Sequence, residues 1–202
     1  MIRVIRRIFL WLVALALLAA IVVAVWGPAF VERRLNPVTM PEAGWPVSPE
    51  AQALHDRLVI GDWHSDALMW DRDLLDQADR GHTDIPRLIQ GNVAVQVFTT
   101  VTKSPRGQNY GQNATDAPDN ITPLFIGQLR PPSSRVSLKE RALVQAKALQ
   151  RAADRAPDQL VLIRSAEDLQ ALLAARQNGA KTVGAILGTE GGHPLEGQIG
   201  NL

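Results

Sequence analysis

The chain has no cysteine. Disulfides, thiolate zinc sites and thiol nucleophiles are excluded together, so any metal must be held by histidine, aspartate or glutamate. An excess of one charge is also missing: 21 basic residues stand against 20 acidic ones, a net +1. There is no basic stripe interleaved with aromatics, which leaves nucleic acid out of the expected partners. Internal repeats are absent too. At 202 residues the chain suits one ordinary domain.

What is present begins with a long apolar run. "IFLWLVALALLAAIVVAVW", residues 8–26, carries no charge, and its length is close to the ~20 residues that cross a bilayer as a helix. It is longer than a usual signal-peptide core of about 7–15 residues, and Trp26 and Pro28 stand where cleavage would want small residues. The expectation is a retained signal-anchor helix behind a basic tail, residues 1–7. Arg3, Arg6 and Arg7 before the run oppose Arg33 and Arg34 after it. That bias predicts a cytoplasmic N-terminus and a globular part on the extracytoplasmic side. Pro28, Pro37, Pro41, Pro46 and Pro49 then predict an extended linker over 27–49.

From residue 50 onward helical and strand patterns alternate. "AQALHDRL" predicts a short helix and "LVIG", residues 58–61, a buried strand. "HTDIPRLIQGN" predicts a helix capped by Thr83, with Pro86 in its first turn and Gly91 as its stop. "VAVQVFTTV", 93–101, is rich in β-branched residues and reads as a strand. Residues 102–136 read as a long loop. Ser137 and Glu140 have capping-box spacing for a helix to Arg155. "QLVLIR" reads as a strand, Ser165 as the cap of a helix through Arg176, and "TVGAILGTEGG" as a last buried strand. Strands alternating with helices predict an α/β fold with parallel strands. Two architectures fit: a small open sheet, or the front part of a larger barrel. The chain stops just past a strand with no helix to cover it, which favours the second.

Two places carry chemistry. Asp62, His64 and Asp66 stand at spacing two, so in a strand they share a face while Trp63 and Ser65 face away. Glu190 stands at the carboxyl end of another strand, before Gly191, Gly192 and His193. Carboxyl ends of parallel strands form the active face of such folds. A histidine and carboxylates meeting there are a metal-ligand set; an isolated Glu before two glycines would otherwise cap a helix.

"DWHSD" at 62–66, "HTDIPRLIQGNVAVQVF" at 82–98 and "LGTEGGHPLEG" at 187–197 resemble, in order, the signatures of the membrane dipeptidases, peptidase family M19. The resemblance covers residues 58–202. It implies the N-terminal part of a (β/α)8 barrel; the one transmembrane helix expected before it, and the proline-rich linker, lie outside the resemblance. It also implies a dipeptide substrate and two zinc ions sharing the attacking water. Residue by residue, His64 and Asp66 match ligands of one zinc, and Glu190 matches the bridging, catalytic glutamate. Asp62 is expected to orient the histidine, and His193 to serve structure. His55 and His82 are expected at the surface or in caps. Asp84, Pro86 and Arg87 are expected to shape a helix start. The family's second-metal histidines and a late aspartate have no counterpart here, so the 202 residues read as a truncated and inactive portion. The alternatives are a non-catalytic, membrane-anchored α/β interaction module, or another amidohydrolase-like metal-dependent hydrolase.

Overall fold

The computed structural model describes residues 2–40, 44–114 and 116–201. Pro41 of the expected linker lies outside the described residues. Helix α1 spans Ile2–Leu35 and contains the whole uncharged stretch. It does not stop at Trp26, as the proline spacing predicts. Pro28 removes one helical hydrogen bond without ending the helix, and residues 27–35 pack onto the domain instead of forming extended chain. Glu32, 2% exposed, accepts a hydrogen bond from Arg80 Nε at 2.8 Å and is ion-paired with Arg72 Nε at 2.9 Å. Arg33 pairs with Asp79 and holds that carboxyl below its usual range. The amide of Gly81 then donates to the carbonyl of Asn36 at 2.9 Å, so the chain leaving α1 is pinned to the same place.

Four strands, β1 (Ile60–Ser65), β2 (Val93–Val101), β3 (Leu160–Leu162) and β4 (Val183–Glu190), form one parallel sheet in the order β1-β2-β4-β3. The α/β class with parallel strands is therefore observed. The neighbour order departs from the sequential order of a (β/α)8 barrel, because β4, not β3, lies against β2. β2 and β4 match from Val95↔Gly184 to Val101↔Glu190, and the three-residue β3 pairs with the start of β4 on its other side.

The elements between strands are α2 (Pro49–His55), α3 (Ile85–Gln90), α4 (Ile121–Gly127), α5 (Ser133–Val136), α6 (Leu138–Arg155) and α7 (Ala166–Gln177). Phe98 at the centre of β2 is fully buried among Ile85 and Leu88 of α3, Leu149 of α6, and Val183 and Ala185 of β4. A second cluster packs Leu172 of α7 against Ala94 and Val95. Gly184 is needed there: a Cβ on it would stand 2.5 Å from Leu172 Cδ2.

Several local expectations are corrected. Asp84, not Thr83, caps α3, accepting from the amide of Arg87 at 3.0 Å. Asp84 has no exposed surface and also pairs with Arg87, so a carboxylate that can take both the amide and the guanidinium displaces the threonine hydroxyl. Ser137 does cap α6, but Glu196 completes the cap: its carboxylate accepts from the amides of Leu138 at 2.6 Å and Lys139 at 3.2 Å. Residues 102–136, expected as loop, hold α4 and α5. Their anchor is long-range. Arg141 of α6, 1% exposed, donates to Asp119 at 2.8 Å, Thr122 Oγ1 at 2.8 Å and the carbonyl of Ser134 at 2.9 Å.

Candidate metal centre

The first strand begins two residues later than its apolar run suggests. Leu58 and Val59 are exposed, and the motif itself is the strand. β1 lies at an edge of the sheet, which is why Asp62, Trp63 and His64 are exposed rather than buried. Alternation does not bring the acids together either. Asp62 pairs with Gln96 and Ser65 with Phe98, so the register shifts between them, as at a β-bulge. Asp66 lies just past the strand, at φ −87° and ψ 20°, leading into a 3-10 turn over Ala67–Met69.

That bend turns the Asp66 carboxylate back toward the ring of His64. His64 Nε2 stands 3.2 Å from Asp66 Oδ1 and 3.2 Å from Glu190 Oε2. The three ligand atoms lie within 4.8 Å of one another. Glu190 arrives by the β2–β4 register, which sets it beside Val101 at the carboxyl end of the sheet. It caps no helix: the 3-10 turn His193–Leu195 has Gly192 at its cap and no side-chain cap bond. Asp62 is not in this group. Its carboxylate accepts from the backbone amide of His64 at 3.2 Å, so it braces the strand and does not orient the imidazole.

Thr99 joins the site without any signal in the sequence. Its hydroxyl sits 3.1 Å from the carbonyl of Ser65 and hydrogen-bonds Asp66 Oδ1, fixing that carboxylate from the neighbouring strand. In the sequence it is one of several β-branched residues in a strand, and nothing marks it. Gln145 secures the same strand end, its amide bonding both the N–H and the C=O of Val101 at 3.1 Å and 2.9 Å.

A cleft of about 380 Å³ opens over these groups, lined by Asp66, Glu190, Gly191 and His193 on one side and Lys103, Ser104 and Gln108 on another. Lys103 is the one permanent cation among the described residues lining it, and it belongs to no motif. Gly191 has φ +77°, and a Cβ there would come within 3.2 Å of the His193 ring. That glycine lets the imidazole fold back beside the cleft. His55 ends α2 and His82 is exposed; neither reaches the cleft.

The donor set suits a divalent cation. One imidazole nitrogen faces two carboxylates, all three side chains partly exposed, and mixed nitrogen and oxygen donors of this kind can hold a divalent ion.

A scan of family models matches residues 48–202 to "Membrane dipeptidase (Peptidase family M19)". The chain belongs to this family. No curated protein matches it. Within the family frame, the domain from residue 48 onward is a dipeptidase-like hydrolase fold segment, and the apolar α1 lies outside the matched region. By length and composition α1 can cross a membrane.

Proposed function

We propose that this chain carries the first part of the active site of a membrane-anchored, metal-dependent dipeptidase. The observation that carries the reading is the meeting of His64, Asp66 and Glu190 at one strand rim, within a chain of the M19 family. His64 and Asp66 are the proposed ligands of one ion, and Glu190 the carboxylate shared with a second. Zinc is the ion that the family resemblance implies. A divalent ion held by these residues would supply Lewis-acid chemistry, polarising a carbonyl and lowering the pKa of a bound water.

The chain's own residues do the rest. Thr99 holds Asp66 at its ligand position, and Asp62 holds the backbone of His64. Lys103 gives the cleft a fixed positive charge, suited to the free carboxylate that distinguishes a dipeptide from an internal peptide segment. The strands β1, β2 and β4 are proposed as members of a (β/α)8 barrel. Residues 8–26 of α1 are proposed to span the membrane, with the N-terminus cytoplasmic and the domain on the extracytoplasmic side.

Titration of the full chain in detergent with zinc, read by calorimetry, tests this. Binding that weakens at least tenfold in Glu190→Gln is expected; equal affinity of the two would remove Glu190 from the site.

A further inference from the structure

The contact between α1 and the domain reaches up into the uncharged part of the helix. Ala24, Pro28 and Glu32, four apart, share one face. Ala24 and Val25 line a crevice of about 350 Å³ together with Gln128 and Leu129, just past the end of α4. Ala24 and Val25 belong to the last turn of the stretch 8–26. The level at which that turn leaves the bilayer is therefore also the level of Leu129.

The surface of α4 agrees with that placement. Ile121, Phe125 and Gln128 are buried, while Pro123, Ile126 and Leu129 are exposed. The exposed residues stand three apart and all are apolar. Ile126 is 48% exposed and Leu129 67%. Leu129 also adopts φ +53°, a left-handed conformation that residues with a Cβ rarely adopt. In water this arrangement would hold a strained leucine out in solvent.

We propose that the ridge Pro123–Ile126–Leu129 is a second membrane contact, seated in the interfacial layer of the bilayer that α1 crosses. Its partner is the boundary between lipid headgroups and acyl chains, where short apolar surfaces insert without spanning. Continuity supports this: Leu129, at one end of the ridge, lines the same crevice as Val25 on the apolar surface of α1. The inference rests on the reading of α1 as a spanning helix.

The absence of native cysteine allows a clean test. Single variants Val13→Cys, Ile126→Cys, Leu129→Cys and Tyr110→Cys of the full chain are spin-labelled in phosphatidylcholine nanodiscs. Accessibility to oxygen and to a water-soluble nickel complex is read by electron paramagnetic resonance. Tyr110, in the exposed segment 106–114, controls for partitioning of the label itself. An oxygen-to-nickel ratio at positions 126 and 129 several-fold above that at 110, together with a high ratio at 13, is expected. A high ratio at 13 with water-like ratios at 126 and 129 overturns the ridge contact and leaves the spanning helix standing. A water-like ratio at 13 overturns the spanning reading, and the ridge contact with it.

Discussion

Asp66, proposed above as a metal ligand, shows how little of a side chain's placement comes from its own position in the chain. It lies past the end of β1, and two side chains from elsewhere, His64 and Thr99, meet its Oδ1. Removing the threonine hydroxyl should free that carboxylate to rotate. Thr99→Val is expected to keep the fold, as read by circular dichroism, and to weaken zinc binding by about 10–100-fold, the usual cost of losing a ligand's hydrogen-bond partner. Lys103 separates metal from substrate: Lys103→Met should leave zinc affinity unchanged and weaken binding of a dipeptide, with no effect on its C-terminal amide. Equal losses for both would show that the lysine does not read the carboxylate. That His64, Asp66 and Glu190 come together was legible in the sequence, because a strand end restricts their place. Thr99 and Lys103 were not, since a threonine in a strand and a lysine after one are what any exposed rim contains.

Helices and strands were legible where the pattern is local. β2 spans 93–101 as its β-branched run predicts, and α6 ends at Arg155 behind the Ser137 cap. α7 starts at a full capping box between Ser165 and Asp168. α4 and α5 escaped notice because their stabilising partner, Arg141, comes from the next helix along the chain. The Arg141 guanidinium also stands 5.4 Å from the centre of the Phe125 ring, a distance at which cation and ring attract. Asp119 is the acidic side of that arrangement. Burial pushes its carboxyl up, but the Thr122 hydroxyl, the amides of Ile121 and Ser104, and Arg141 together bring it down to about 2. With an ordinary value of 3.8 in the unfolded chain, its stabilisation is complete above that pH and is lost as pH falls through about 2. Urea midpoints should therefore drop between about pH 5 and pH 2 in the natural chain. Asp119→Asn should lose about 3 kcal/mol at neutral pH, because it strands a buried guanidinium, and should flatten that acid limb. An acid limb unchanged in the variant would assign the titration to other carboxylates.

Across the whole molecule, the decisive contact is the one between α1 and the domain. The prolines predict an extended spacer that holds the domain away from the helix, and the buried pairs of Glu32 with Arg72 and Arg80 instead dock the helix on the domain. The sequence could not show this, because ERR after an apolar run looks like an ordinary solvated flank. Glu32→Gln removes the buried carboxylate that Arg72 and Arg80 share, but leaves Arg72 near Asp84 at 3.8 Å and Arg80 paired with Asp79 at 3.1 Å. Its cost should therefore fall below the roughly 3–5 kcal/mol of a buried charge left with no partner. Faster amide exchange at Gly81, whose N–H bonds the carbonyl of Asn36, is the expected signature; exchange at Phe98, deep in β2, should change far less. If Gly81 exchanges at the natural rate, the docking does not depend on Glu32.

A helix clamped in this way has no hinge at the surface it leaves. A membrane-crossing segment adapts to a thinner or thicker bilayer by leaning over. On the proposed reading of α1 as a spanning helix, the domain leans with it, and the mouth of the cleft swings through the same angle. The thickness of the surrounding lipid would then set the direction from which the proposed substrate enters, making the host membrane's composition part of the geometry of access.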